Sequence, residues 1–381
     1  MSVTAARGFA AGAATAGLKP SGRPDVALVA AERPVPAAGA FTTNRLAAAP
    51  VHQSRAVLAG GLLRAVVLNS GGANACTGPQ GHADAAAMSE AAAAALGGGP
   101  VAVASTGLIG VRLPMDLVLP GIAKAAAALG PDGSQAAEAI RTTDTRAKQA
   151  AATRNGVTAG GMAKGAGMLA PALATMLCVV TTDAVAEAAD LDAALRVATG
   201  RTFDRADADG CMSTNDSVYV LASGASGVRL GLADLTSLLT EVCADLATQL
   251  VDDAEGASKR LAITVRGAAS ETDATDAARA VARSALLKCA VHGEDPNWGR
   301  VLAALGTSTA AFDPDAVDVD INGVAVCRAS QATEHVEAAR AAMAPREVEI
   351  AVTLHAGDAT ATILTTDLTA AYVHENSAYS T

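Results

Sequence analysis

The sequence is poor in aromatic and charged side chains. Only 2% of its 381 residues are Phe, Trp or Tyr and 17% are charged, whereas 51% are hydrophobic. So hydrophobic a composition excludes an intrinsically disordered chain. Because aromatic rings are scarce, the core must consist mainly of Ala, Val and Leu, which favours close packing of helices and strands. The length is sufficient for one large core or two domains.

Positive charge is also in short supply. The 28 basic residues are outnumbered by 38 acidic ones, which gives a net charge of −10 at pH 7 and a pI near 5.1. Nucleic acid attracts proteins of the opposite charge, so we expect no nucleic acid partner. No apolar run reaches about 18 residues without Gly, Pro or charge, so we expect no membrane-spanning helix. Gly8, Gly12 and Lys19 interrupt any signal-like apolar block, which favours a cytoplasmic location.

Cysteine and histidine show no ligand spacing. The six cysteines include no Cys-x-x-Cys pair, and the six histidines are equally scattered, so we expect reduced thiols and no zinc site. Asp207, Asp209 and Gly210 mimic part of a calcium-binding loop. The first and twelfth positions of that loop would be Arg205 and Asp216, not the expected Asp and Glu, so we expect no calcium.

Short β-rich runs alternate with alanine-rich helical patterns, without a strict β-α-β order. The β-rich runs lie at residues 25–31, 64–69, 100–105, 176–182, 217–222, 261–265, 316–321, 347–354 and 359–365. The helical patterns lie at residues 82–96, 114–129, 184–199, 232–253 and 274–291. This mixture favours an α+β fold of stacked layers over a doubly wound sheet.

One segment combines a glycine-flanked lysine with a threonine before an apolar strand. Lys164-Gly165-Ala166-Gly167 leads to Ala174-Thr175, and residues 176–180 are apolar. Glycine lets the backbone approach a ligand closely, and a threonine hydroxyl beside an activating base can act as a nucleophile. From residue types alone we favour the plainer interpretation, a glycine-rich turn before a core strand in which Thr175 only packs.

The segment also resembles the ornithine acetyltransferase family, the glutamate N-acetyltransferases of the cyclic arginine pathway. In that family a Gly-Lys-Gly loop runs into Ala-Thr-Met-Leu, and the chain cuts itself at the Ala-Thr bond. Five more motifs resemble family signatures in the family's order, so the resemblance covers nearly the whole chain. They are Asn69-Ser70-Gly71-Gly72-Ala73-Asn74-Ala75, Ser105-Thr106-Gly107-Leu108-Ile109-Gly110, Asp253-Ala254-Glu255-Gly256, Asp295-Pro296-Asn297-Trp298-Gly299-Arg300 and Glu375-Asn376-Ser377-Ala378-Tyr379-Ser380.

The resemblance implies an α+β fold of layered β-sheets sandwiched by helices, similar to that of self-cleaving aminopeptidases. It implies a catalytic domain at residues 1–270, cut between Ala174 and Thr175, and a smaller α+β domain at 271–381 whose tail returns to the active site. Ala47 and Ala104 stand where many relatives have Lys and Cys, and neither residue belongs to the expected chemistry.

The resemblance also assigns the catalytic groups. Cleavage would leave Thr175 at a new N-terminus, whose amine has a reference pKa of about 8 and can serve as its base. Thr106 and Gly107 would form the oxyanion hole, through a hydroxyl and a backbone N–H. Without the resemblance, these two residues would be an ordinary strand-to-loop turn.

The expected substrate-binding residues come from distant parts of the chain. Lys164 could pair with an α-carboxylate, and Glu255 suits the δ-amine of ornithine. Thr143 is a further expected contact, although Thr142 is an alternative one residue away. The resemblance also implies that the tail folds back, so that Asn376 and Thr381 meet the substrate; Asn376 offers both donors and an acceptor.

The implied reaction transfers acetyl from N2-acetyl-L-ornithine to L-glutamate through an acetyl-Thr175 intermediate. Some family members also use acetyl-CoA as donor, and no metal or organic cofactor is implied. We expect the two cleaved chains to stay together, and two such pairs to form a dimer. Two alternatives remain open: a paralogue in a secondary-metabolite pathway, and an aminopeptidase or amidase of related fold with water as acceptor.

Overall fold

A large mixed β-sheet forms the centre of the molecule. The computed structural model describes residues 2–168 and 176–378, and all statements below concern those residues. Eight strands form this first sheet, in the order β4-β3-β2-β8-β7-β6-β5, with β1 added beside β2. They are β1 (Phe9–Ala14), β2 (Val26–Phe41), β3 (Leu62–Ser70), β4 (Val101–Thr106), β5 (Lys148–Arg154), β6 (Val157–Lys164), β7 (Leu177–Thr182) and β8 (Ser217–Ala222).

The sheet folds over at the middle of its longest strand, β2. The first part of β2 pairs with β1 and β3, whereas its last residues, from Ala37 onward, pair with β8. Between the two parts the register shifts, and the polar stretch Glu32-Arg33-Pro34 is exposed. Proline cannot donate to a sheet ladder, so a bend of the strand is expected there. The two halves of the sheet therefore come to lie face to face.

Side-chain alternation along the strands gives each half two apolar faces. Between the halves lie residues such as Leu68, Val179 and Leu221. The hydroxyl of Tyr219 on β8 donates to the carbonyl of Val103 on β4 across this layer, over 3.0 Å. Strands buried on both faces appear in sequence as continuous apolar runs, which explains why β4, β7 and β8 were predictable.

Helices cover the two outer faces of the folded sheet. Helices α2 and α3 pack on the half that contains β2–β4, and α5 and α6 pack on the half that contains β6–β8. The helices of this part are α1 (Ala49–Leu58), α2 (Gly78–Ala95), α3 (Met115–Ala127), α4 (Ser134–Ala139), α5 (Ala188–Arg201) and α6 (Leu232–Asp252). The layer order is thus helix, sheet, sheet, helix, and the expected α+β class with helices sandwiching layered sheets is confirmed.

A second, six-stranded sheet lies in the remainder of the described chain, in the order β12-β11-β10-β13-β9-β14. Its strands are β9 (Arg260–Ala268), β10 (Asp318–Ile321), β11 (Val324–Arg328), β12 (Gln331–Ala332), β13 (Glu347–Thr353) and β14 (Ala359–Thr366). The division into domains at residues 1–270 and 271–381 stays a prediction. Sheet membership divides the chain earlier, because β9 precedes residue 270 and pairs with β13 and β14.

The prediction of a single helix at residues 274–291 was wrong. The chain forms α7 (Glu271–Ala282) and α8 (Ala285–His292), separated by Arg283 and Ser284. The Ser284 side chain accepts the N–H of Leu287, which satisfies a donor at the start of α8 and makes a new helix start there favourable. The chain continues with α9 (Trp298–Leu305), α10 (Val336–Ala342) and α11 (Ala370–Ala378).

Helix α11 turns back towards the first sheet. The Thr369 hydroxyl, just before α11, donates to the Gly256 carbonyl over 2.6 Å. Gly256 has φ +62°, and a Cβ there would lie 2.2 Å from the Tyr372 nitrogen, so only glycine permits this close approach. No helix within 2–168 or 176–378 combines the length and apolar character needed to cross a bilayer.

Candidate active site

A cavity opens where four strands of the first sheet begin or end. Lys164 at the end of β6 lies beside Leu177, the first residue of β7, and Leu177 lies beside Ser217, the first residue of β8. Thr106 ends β4 on the facing half of the sheet. The cavity is lined by Ala73, Thr106, Gly107, Ile109, Thr142, Thr143, Lys164, Gly167, Met168, Ser213, Thr214, Asn215, Glu255 and Asn376.

The structure brings together the predicted site residues of the described chain. Thr106, Gly107, Lys164, Glu255 and Asn376 all line this one cavity, although they are separated by up to 270 positions in the sequence. The roles assigned to them remain predictions.

The remaining predicted site residues are Thr143, with Thr142 as its alternative, and three residues near the cleavage site and the C-terminus. Thr142 and Thr143 both line the cavity, so the geometry leaves that alternative open. Ala174, Thr175 and Thr381 lie outside the described residues.

Thr106 and Gly107 are held by the glycine loop at residues 69–75. The Thr106 carbonyl accepts the N–H groups of Gly71 and Gly72, at 2.9 and 3.0 Å. Gly107 has φ +131°, and a Cβ there would lie only 2.5 Å from the Gly72 nitrogen. A side chain at position 107 would therefore collide with backbone, which explains the need for glycine.

Lys164 brings a buried positive charge to the cavity. Its side chain is 3% exposed, and its Nζ lies 3.4 Å from the Thr106 hydroxyl oxygen and 4.0 Å from a carboxylate oxygen of Asp144. Burial lowers the pKa of Lys164, and the negative charge of Asp144 partly offsets this effect. A lysine that is costly to bury suits a site that receives an anionic group.

Asp144 connects two segments that line the cavity. One of its oxygens accepts the Lys148 ammonium at 2.6 Å and the Gly165 N–H at 2.7 Å, and the other accepts the Thr142 N–H at 3.1 Å. Burial favours the neutral form, but the charges of Lys164 and Lys148 dominate and hold the pKa of Asp144 well below its usual range. The carboxylate is therefore ionised at neutral pH.

Asp253 extends the same network towards Glu255. It accepts the Lys148 ammonium at 2.6 Å and the Thr145 N–H at 3.0 Å, and the Thr145 hydroxyl also donates to it. Lys148 is completely buried between the two carboxylates. No sequence signal identified Asp144 or Lys148, whereas Asp253 is the first residue of the motif Asp253-Ala254-Glu255-Gly256.

Glu255 receives the C-terminal helix. The Asn376 side-chain amide donates to a Glu255 carboxylate oxygen over 3.0 Å. The Glu255 N–H donates to the Ala166 carbonyl at 2.9 Å. A Cβ at Gly167 would lie 2.5 Å from the same carboxylate. Helix α11 thus reaches the cavity through Asn376, and the role of the tail in the active site stays a prediction.

The segment Ser213-Thr214-Asn215 is a part of the site that the sequence did not reveal. The Asn215 side-chain amide donates to the Ala73 and Ser105 carbonyls, at 2.6 and 2.9 Å. It thereby joins the start of β8 to the loops around the oxyanion-hole candidates. This segment had been considered only as part of a calcium-loop mimic.

Asp207, the centre of that calcium-loop mimic, lies 2.7 Å from the Arg283 guanidinium and 3.8 Å from that of Arg279. Within 2–168 and 176–378, no three His, Cys, Asp or Glu side chains are grouped so that they could hold a metal ion.

Comparison with known proteins identifies the family. The model of the ArgJ family matches residues 10–381. The chain belongs to the ArgJ family. It is 58% identical over 384 residues to the arginine biosynthesis bifunctional protein ArgJ of Streptomyces avermitilis, with 100% of both chains covered. It is 53% identical to the protein of the same name from Mycobacterium tuberculosis, covering 99% of this chain and 96% of that protein.

A solved structure agrees with this assignment. The arginine biosynthesis bifunctional protein argJ from Bacillus halodurans is 36% identical, with a TM-score of 0.51. The match covers 53% of this chain and 98% of that chain. The expected family, and the expected class of acyltransferase in arginine biosynthesis, are confirmed.

The buried network generates a prediction about acid stability. The folded-state pKa of Asp144 is depressed, so its contribution is fully present above the unfolded value of about 3.9 and is lost as the pH falls through the folded value. Asp144→Asn should lower the apparent Tm at about pH 7, because removing one partner of a buried pair typically costs about 3–5 kcal/mol. The difference in Tm between the variant and the wild type should become smaller as the pH falls towards about 4 and below.

Asp192→Asn is the matched control for this measurement, because Asp192 and Arg196 form an exposed ion pair with the same four-residue spacing as Asp144 and Lys148. Exposed pairs contribute little, so this variant should melt almost as the wild type does. Apparent Tm values from circular dichroism at several pH values provide the test. The prediction would be contradicted if Asp144→Asn melted at the wild-type Tm at neutral pH. It would also be contradicted if the difference in Tm between variant and wild type did not change with pH.

Proposed function

We propose that this protein transfers the acetyl group of N2-acetyl-L-ornithine to L-glutamate, after cutting itself between Ala174 and Thr175. The observation that carries the proposal is the convergence of Thr106, Gly107 and Lys164 on one cavity, at the level where β7 begins. β7 follows Thr175 after one residue, Met176. The strand that follows the proposed nucleophile therefore begins at the cavity that the candidate oxyanion donors line.

The charges at the cavity suit amino-acid substrates. Lys164 offers a cation for an α-carboxylate, and Glu255 offers an anion for an ammonium group. Asn376 bonds to the Glu255 carboxylate and can adjust to either charged end of a substrate. Ornithine and glutamate share the α-amino acid group and differ in side chain, so one pocket can accept them in turn.

Self-cleavage would begin with attack of the Thr175 hydroxyl on the Ala174 carbonyl carbon. The amide C–N bond breaks, an ester forms, and the hydroxyl proton passes to the released amine. Water then hydrolyses the ester, which yields the Ala174 carboxylate and a free Thr175 hydroxyl and amine. The match to the Bacillus halodurans chain supports such a cut. It covers 98% of that chain but only 53% of this one, as expected if that chain is one product of a similar cut.

Acetyl transfer would use the same hydroxyl in two steps. The Thr175 amine accepts the hydroxyl proton as the oxygen attacks the acetyl carbonyl of acetylornithine, and ornithine leaves with the proton. The glutamate amine then attacks the acetyl ester, which forms N-acetylglutamate and restores the hydroxyl. Both steps pass through an oxyanion that the Thr106 hydroxyl and Gly107 N–H would stabilise, at about 3 kcal/mol per donor.

Several finer features belong to the proposal. The curated relatives are named bifunctional, which supports a second activity; from the family resemblance we infer acetylation of glutamate by acetyl-CoA. The two cleaved chains should remain associated, because β7 pairs along its full length with β6, which lies on the other side of the cut. We further propose a dimer of such two-chain units and a cytoplasmic location.

The experiment that tests self-cleavage is intact-mass measurement of the purified protein. The wild type should consist of residues 1–174 and 175–381, eluting together under native conditions. Thr175→Ala lacks the hydroxyl and should remain one chain, whereas Thr175→Ser keeps a hydroxyl and should still cleave. An active wild type that stays full-length would contradict the mechanism. Activity without glutamate would instead favour the aminopeptidase or amidase alternative.

The oxyanion role of Thr106 gives a separate prediction. Thr106→Ala should lower kcat on the order of 10²-fold with little change in KM, because the donor acts mainly in the transition state. Thr106→Ser is the matched control, since it keeps the hydroxyl and should retain most of kcat. Steady-state kinetics of the cleaved variants provide the test. A rise in KM alone would identify Thr106 as a substrate contact instead.

A further inference from the structure

Asp216 is a completely buried carboxyl group at the start of β8, next to the cavity-lining residue Asn215. Its Oδ1 accepts the backbone N–H of Met176 over 3.0 Å. Met176 follows Thr175 directly in the sequence, so this bond is one peptide group away from the proposed nucleophile. None of the proposed reaction steps involves Asp216.

Both backbone polar groups of Met176, just before β7, form hydrogen bonds with residues 216 and 217. While Asp216 accepts the Met176 N–H, the Ser217 N–H donates to the Met176 carbonyl at 3.1 Å. The Asp216 carbonyl in turn accepts the Thr42 N–H at 3.0 Å. Asp216 is therefore itself held by the residue that follows β2, and Met176 is fixed between the ends of neighbouring strands of the sheet.

The second carboxyl oxygen of Asp216 is the unusual feature. Oδ2 is buried and forms no hydrogen bond of good geometry within residues 2–168 and 176–378, although the Ser213 hydroxyl and N–H are near the carboxyl group. Leaving a buried polar atom unpaired typically costs about 1–3 kcal/mol, so such an atom calls for a functional or structural explanation. A nonpolar residue would have avoided that cost if only packing mattered here.

We propose that Asp216 is a positioning residue that holds the start of β7 for self-cleavage and acetyl transfer, through the hydrogen bond that its Oδ1 accepts from the Met176 N–H. This inference rests on the proposed function. A displacement of about 1 Å at a reacting group can reduce a rate by about 10²-fold, so a fixed support for the residue after the nucleophile has kinetic value.

An asparagine side chain should replace Asp216 where alanine cannot. It keeps the shape of the side chain and the oxygen that accepts the Met176 N–H, whereas alanine leaves that N–H without its acceptor. The site also disfavours the charged carboxylate, because burial raises the pKa of Asp216 well above its usual range, although the Met176 N–H, Ser213 and the charge of Lys164 oppose the shift.

The test compares Asp216→Ala and Asp216→Asn with the wild type. Intact mass against time gives the self-cleavage rate, and kinetics per cleaved chain give kcat and KM. Asp216→Ala should slow cleavage and lower kcat by about 10- to 100-fold with KM for glutamate within about 2-fold, since positioning acts on the reacting groups. Asp216→Asn should recover both rates to within about threefold of the wild type.

Asp183→Ala is the matched control. Asp183 is equally buried and follows the other end of β7, where it accepts the Thr158 N–H at 2.8 Å. Any loss that merely reflects a missing buried carboxylate on this strand should appear in both alanine variants, whereas loss of positioning should appear only at Asp216. Circular dichroism and apparent Tm establish that each variant is folded.

Three outcomes would overturn the inference. They are wild-type rates in folded Asp216→Ala, equal losses in the Ala and Asn variants, and a change confined to KM. If Asp216→Ala does not fold, Asp216→Asn decides, and a loss beyond about tenfold contradicts the inference. An uncleaved wild type would overturn the proposed function and this inference together, whereas a cleaved wild type with an unimpaired Asp216→Ala would overturn the inference alone.

Discussion

The cavity depends on the buried ion pairs that Lys148 forms with Asp144 and Asp253, at 2.6 Å each. Asp144 also accepts the N–H groups of Thr142 and Gly165, and Asp253 holds Thr145. The Lys148 ammonium group therefore fixes three parts of the chain relative to one another: residues 142–145, the backbone at Gly165 and the end of α6. Because water is excluded, these attractions are weakly screened, but an unpaired charge there would be costly.

The same arrangement gives the cavity its charge pattern. Asp144 is satisfied by two lysines, and of these Lys164 also reaches the cavity, where it meets Thr106. Glu255 also lines the cavity and contacts Asn376 from the last described helix. A protein with a net charge of −10 thus keeps one buried cation available at its site. Opposite charges within one pocket suit zwitterionic substrates better than simple anions.

Much of the fold could be predicted, because several strands are buried on both faces and so form apolar runs. Strands β1, β5 and β6 were missed because they are rich in Ala and Gly and carry few β-branched residues. The motifs located Thr106, Lys164 and Glu255 but not their supports. No motif identifies Lys148 or Asp216, because Lys148 joins Asp144, four residues away, to Asp253, 105 residues away, and Asp216 binds Met176, 40 residues away.

In the proposed mechanism, Thr175 carries the acetyl group between two substrates. The most direct measurement is intact mass of the purified protein mixed with N2-acetyl-L-ornithine in the absence of glutamate. The proposed mechanism predicts one added acetyl group on the chain that begins at Thr175, and its loss when glutamate is added. An unmodified chain under conditions of full transferase activity, together with intersecting double-reciprocal plots, would show direct transfer between bound substrates and contradict the mechanism.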